Sequence, residues 1–67
     1  MTPRDTARNA YAAASVHCSE LIVETALANR ESNPIRRLEH LEEALFLVNE
    51  IKVAIDQAIA LEKACQN

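Results

Sequence analysis

Sixty-seven residues with seven Lys and Arg against ten Asp and Glu (net charge −3) make one small domain, too acidic overall for a strongly nucleic-acid-binding surface. The absence of glycine excludes a glycine-rich phosphate loop; two prolines, 49% hydrophobic and 3% aromatic residues point to an aliphatic, all-α protein. A chain of this size buries only about 60% of its unfolded surface and ordinarily needs a staple or a partner.

The N-terminal stretch MTPRDTARNA is polar and lacks the apolar run of a secretory signal. No segment approaches the roughly 18 uninterrupted apolar residues of a membrane span. Two cysteines and no targeting signal lead to the expectation of a cytoplasmic protein without a membrane partner.

The first predicted helix covers residues 3–29. Thr2 is suited to cap it, Pro3 sits where its missing N–H costs nothing, and Asp5 stands where a capping box wants an acid. Its main apolar face is expected to be Ala7, Ala10, Tyr11, Ala14, Cys18, Leu21, Ile22, Thr25 and Ala28, with Cys18 as a small core residue. A narrow second strip, Val16, Val23 and Leu27, falls on the opposite, mostly polar side, which also carries His17, Glu20 and Glu24. Residues 30–33 are the predicted turn, part of a loop of about four to six residues that makes an antiparallel hairpin. Asn33 as cap and Pro34 at the first helical position restart the chain.

The second predicted helix, residues 34–64, dominates the sequence. Two apolar rows run side by side along it: Leu41, Leu45, Val48, Ile55, Ile59, and Ala44, Leu47, Ile51, Ala54, Ala58, Leu61, Cys65. The second row alternates steps of three and four without a break. Together they span roughly 200°, about twice the stripe that a surface helix needs. One neighbouring helix covers half of that surface, so the rest is expected to meet a second copy or another protein. The expected fold is therefore all-α: a two-helix hairpin assembling into an oligomeric bundle, of four helices or more. Leu21, Ile22, Leu41, Leu45, Leu47, Val48, Ile51, Ile55, Ala58, Ile59 and Leu61 form its core and oligomer interface. Phe46 and Val53, seven apart amid acidic residues, are the candidate contact for a further partner.

Two His-x-x-Glu pairs, His17/Glu20 and His40/Glu43, have a spacing that places each His near its Glu. In a hairpin pivoting near residues 31–32, His17 is expected level with Phe46 and His40 with Val23, too far apart along the axis to share one ion. A metal-binding bundle using His40 and Glu43 across an oligomer interface stands as the alternative reading. Cys18 and Cys65 lie roughly 30 Å apart along such a hairpin, beyond the reach of a disulfide. No nucleophile motif is present. Neither catalytic residues, a cofactor nor a small-molecule substrate is expected. Arg30, Arg36 and Arg37 cluster at the turn and, with Lys52, are the candidate nucleic-acid contacts, Arg36 alternatively pairing with Glu39.

The stretch from Ser19 to Leu61 resembles a known family. Leu21, Ile22, Leu27 and Ala28 precede a polar turn; Leu41, Glu42, Glu43, Ala44, Leu45, Ile51, Lys52, Ile55, Asp56, Ala58 and Leu61 follow it. This pattern is similar to the middle helices of the four-helix-bundle accessory variability determinant proteins of diversity-generating retroelements and their ribosomal-RNA-intervening-sequence relatives. The resemblance implies an oligomeric, non-enzymatic helical bundle that accompanies a reverse transcriptase and binds RNA through basic surface. This chain departs from that pattern in being shorter, without the outer helices, and in being acidic.

Overall fold

The computed structural model describes residues 2–66, and among them the secondary structure is two α-helices, α1 (Pro3–Arg30) and α2 (Pro34–Cys65), with no strand. They pack as a hairpin 52 × 14 × 13 Å. Both helix starts form as their cap residues dictate. The Thr2 hydroxyl accepts the Asp5 N–H at 3.2 Å while the Asp5 carboxylate accepts the Thr2 N–H at 3.3 Å, a closed capping box ahead of Pro3. The Asn33 side-chain oxygen accepts the N–H groups of Ile35 (2.9 Å) and Arg36 (3.4 Å), with Pro34 in the first turn.

Of the expected turn, residues 30–33, Arg30 stays helical and residues 31–33 connect the helices. Glu31 makes this possible. Its N–H donates to the Leu27 carbonyl (3.0 Å), its carboxylate accepts the Asn33 N–H (3.0 Å), and its carbonyl accepts from the Arg37 guanidinium (3.4 Å). One residue thus satisfies groups at the end of α1 and the approach to α2.

The seam between the helices is lined mostly by small side chains. Ala7, Ala10 and Ala28 of α1 and Ala44, Leu47, Ala54 and Ala58 of α2 are buried; Leu47 is the only bulky one among them. On α2 this is the row expected from the sequence, with His40, Ile51 and Leu61 half-buried in the same line. On α1 the seam differs from the expected face. It runs Ala7, Ala10, Ala14, His17, Leu21, Glu24, Ala28, alternating steps of three and four. Tyr11, Cys18, Ile22 and Thr25 are exposed beside it, while His17 and Glu24 leave the polar side and enter it. The cause is geometric: antiparallel helices stay in contact only along a row of 3.5-residue period, and Ala7, Ala10 and Ala14 fix its phase.

Candidate interaction surface

Two polar pairs fix the register. Arg4 of α1 is salt-bridged to Glu62 of α2 near the termini, and His40 Nδ1 lies 2.8 Å from Glu24 Oε2 near the turn. His40 is therefore level with Glu24 rather than Val23, one residue from the expected register. This pair is the interhelical contact of His40, whereas Glu43 stands exposed on the neighbouring flank. His17 is half-buried rather than solvated. Its Nδ1 is 3.4 Å from Glu20 Oε1, too poorly aligned for a hydrogen bond, which leaves that nitrogen buried without a partner. Among the described residues no three His, Cys, Asp or Glu side chains converge as metal ligands would.

With the register set, the exposed residues sort onto two flanks of the rod. On one flank α1 carries Tyr11, Cys18 and Thr25 at intervals of seven, with Ile22 beside them. There α2 carries Leu41, Val48 and Ile55, and a parallel row of Leu38, Leu45, Lys52 and Ile59. Eight large apolar side chains here, Tyr11, Ile22, Leu38, Leu41, Leu45, Val48, Ile55 and Ile59, are between 44% and 69% exposed. Of the eleven residues expected in a core or oligomer interface, Leu47 and Ala58 are buried and Leu21, Ile51 and Leu61 half-buried in the seam. The other six, Ile22, Leu41, Leu45, Val48, Ile55 and Ile59, all lie on this flank.

Two of the polar groups on this flank, those of Thr25 and Lys52, are turned away from it, while Arg8 and Ser15 stand in the α1 row of Ile22. The Thr25 hydroxyl donates to the Leu21 and Ile22 carbonyls (2.9 and 3.0 Å), which leaves its methyl outward. Lys52, the one charge between Leu45 and Ile59, reaches sideways to Asp56 at 2.6 Å; that hydrogen bond raises its ammonium pKa. Cys18 is an exposed thiol here rather than a core residue, and Cys65 is likewise exposed.

Toward the termini the flank opens into a hollow of about 320 Å³, floored by Ala10, Ala14, Ala54 and Ala58 and walled by Tyr11, Ile55 and Ile59. It exists because four alanines reach less far than the side chains around them. Arg4 closes its rim, with its guanidinium 5.9 Å above the Tyr11 ring and bonded to Glu62, a contact that raises the Arg4 pKa.

The opposite flank carries Val16, Val23, Leu27, Phe46 and Val53, exposed but interleaved with Glu20, Glu39, Glu43 and Glu50. Phe46 and Val53 are both exposed there, with Glu50 between them in sequence. Of the four candidate nucleic-acid contacts, Arg37 is engaged with the Glu31 carbonyl and Lys52 with Asp56. Arg30 and Arg36 are exposed at the turn end. No helix among the described residues is long and apolar enough to cross a membrane.

The signal that would have found His17 and Glu24 was present in the sequence. Extending the three-four alternation of Ala7, Ala10 and Ala14 lands on positions 17, 21, 24 and 28 whatever residues stand there. No family model, curated protein or solved structure matches this chain.

Proposed function

We propose that the hairpin is a self-associating, non-enzymatic helical-bundle module, joined to further copies of itself through the flank of Tyr11, Leu41, Leu45, Val48 and Ile55. One observation carries the reading: the area left uncovered. The isolated hairpin exposes 4989 Å². A folded monomer of its 7.4 kDa mass ordinarily exposes about 4,200 Å². The excess, roughly 800 Å², is comparable to the area that each partner buries in a standard stable interface. One long side of a 52 × 14 × 13 Å rod supplies it.

Absolute mass by light scattering across a dilution series tests this. Dimers or larger closed assemblies persisting to low micromolar concentration support the reading, and a monomer throughout overturns it. Within the reading, the resemblance to retroelement accessory proteins supplies one partner class, a reverse transcriptase and its RNA, for which the exposed Arg30 and Arg36 at the turn end are the candidate contacts. RNA binding at 50 mM salt that is lost on Arg30→Ala/Arg36→Ala supports that narrower role; no binding there removes direct RNA contact from it.

A further inference from the structure

Resting on the self-association just proposed, we infer that two copies dock antiparallel about a two-fold axis through mid-hairpin, so that the leucine-rich turn half of each fills the alanine-floored hollow in the terminal half of the other.

The flank is not uniform along its length. Toward the turn it stands proud: Ile22, Leu38, Leu41 and Leu45 are 52–69% exposed. Toward the termini it is recessed between Ala10, Ala14, Ala54 and Ala58, with room for more than one leucine side chain in about 320 Å³. Because Arg4 is level with Glu62 and Glu24 with His40, Tyr11 is level with Ile55, and Ile22 with residues between Leu41 and Leu45. The protruding and recessed groups are then each centred roughly 10 Å from the middle of the rod, on opposite sides, at 1.5 Å per residue. A two-fold axis lying in the interface, perpendicular to the rod at mid-length, exchanges them while keeping the full length of both rods in contact.

A parallel pair would set protrusion against protrusion and leave both hollows empty. Close packing disfavours voids and overlaps alike, so shape selects the antiparallel arrangement. An isologous contact of this kind closes on itself and uses the same patch twice. The polar residues stay at its edges: Arg4 and Glu62 rim the hollow, and Asp56 holds Lys52 aside.

The two exposed cysteines supply the test. In full-length protein carrying Cys18→Ala, a spin label on Cys65 marks the terminal end, and electron–electron dipolar spectroscopy reads the distance between the two copies. The antiparallel pair puts the labels about 50 Å apart, since each lies at an opposite end of the rod; a parallel pair puts them within about 25 Å. A long distance supports the arrangement. A short distance, or a ring of three or more copies, overturns it while leaving self-association standing. A monomer at every concentration overturns self-association itself.

A size swap gives an independent reading. Ala14→Leu fills the hollow, and dimer affinity is expected to fall roughly tenfold or more. Adding Leu45→Ala, which trims the incoming side chain, is expected to restore part of that loss. Helicity by circular dichroism checks that each variant still folds. Additive losses in folded single and double variants overturn the contact between the leucines and the hollow.

Discussion

The two flanks of this rod share their helices and their seam, and both display valines, leucines or aromatics to solvent. They differ in what is done with the polar groups between. On the flank of Leu41, Leu45 and Val48, Thr25 bonds to its own backbone and Lys52 leans out to Asp56, which leaves a continuous apolar surface. On the flank of Phe46 and Val53, Glu20, Glu39, Glu43 and Glu50 stand among the apolar residues and keep water there. Exposed apolar residues alone do not mark an interface; contiguity does. The largest expected effect follows from this contrast. Leu45→Glu places a carboxylate inside the contact and is expected to convert the assembly to monomers, a loss of several kcal/mol from an unpaired buried charge. Val53→Glu, a charge added at a similarly exposed position on the other flank, is expected to leave the mass unchanged. Sedimentation velocity on the two variants decides; dissociation by both, or by neither, would erase the distinction between the flanks.

A second contrast separates the seam from the flank. Leu47 and Leu45 lie two residues apart on α2, yet Leu47 is 3% exposed and Leu45 is 62% exposed. Leu47 is the only bulky side chain fully inside a seam of alanines, so truncation leaves a cavity that little can refill. Leu47→Ala is expected to cost about 2–4 kcal/mol and to lower the melting midpoint by roughly 10–25 °C. Leu45→Ala is expected to weaken association while changing the stability of the dilute, dissociated hairpin by under about 0.5 kcal/mol. Thermal melts at two concentrations separate the two quantities.

How much of this was legible in the sequence differs between the helices. On α2 the buried row Ala44, Leu47, Ile51, Ala54, Ala58 and Leu61 could be read directly, because every member is apolar and the spacing never breaks. Thr2 and Asn33 announced both helix starts, since their side chains have one obvious use ahead of a proline. On α1, apolarity misled. Tyr11, Cys18, Ile22 and Thr25 are more hydrophobic than His17 and Glu24, yet seam membership is set by phase, and the alanines hold that phase. Once His40 of α2 lies level with Glu24, the two polar residues satisfy each other and the seam tolerates them. Hydrophobicity could not reveal this, because it depends on a residue of the other helix. The turn differs from the expected residues 30–33 only in that Arg30 stays helical, and the bonds of Glu31 that close α1 there, to Leu27, Asn33 and Arg37, are all local in the chain. The apolar flank was legible in its α2 residues and not in its hollow, which needs the alanines of both helices.

The polar members of the seam give the next expected effects. Glu24→Ala deprives half-buried His40 of its 2.8 Å partner and is expected to destabilise by about 1 kcal/mol, lowering the melting midpoint by roughly 4–8 °C. His17 is the converse case. Its buried Nδ1 has no hydrogen-bond partner, so His17→Leu is expected to stabilise by about 1 kcal/mol, read as a higher melting midpoint. Opposite shifts for these substitutions, two turns apart in the same row, would show that satisfaction of hydrogen bonds rather than polarity sets the cost.

The smallest expected effect belongs to Lys52. Its bond to Asp56 is short, and the hydrogen bond and the nearby carboxylate both raise the ammonium pKa. The two side chains are nevertheless 74% and 60% exposed, and water screens a pair so open. Lys52→Ala is expected to leave the melting midpoint of the dilute hairpin within about 3 °C of the parent. Its consequence belongs to assembly instead, because the substitution removes the only charge from the row of Leu38, Leu45 and Ile59. Affinity measured by dilution is expected to be unchanged or slightly increased. A clear loss of affinity would mean that the ammonium itself contacts the second copy, and that the apolar flank is held in register by a charge rather than by shape.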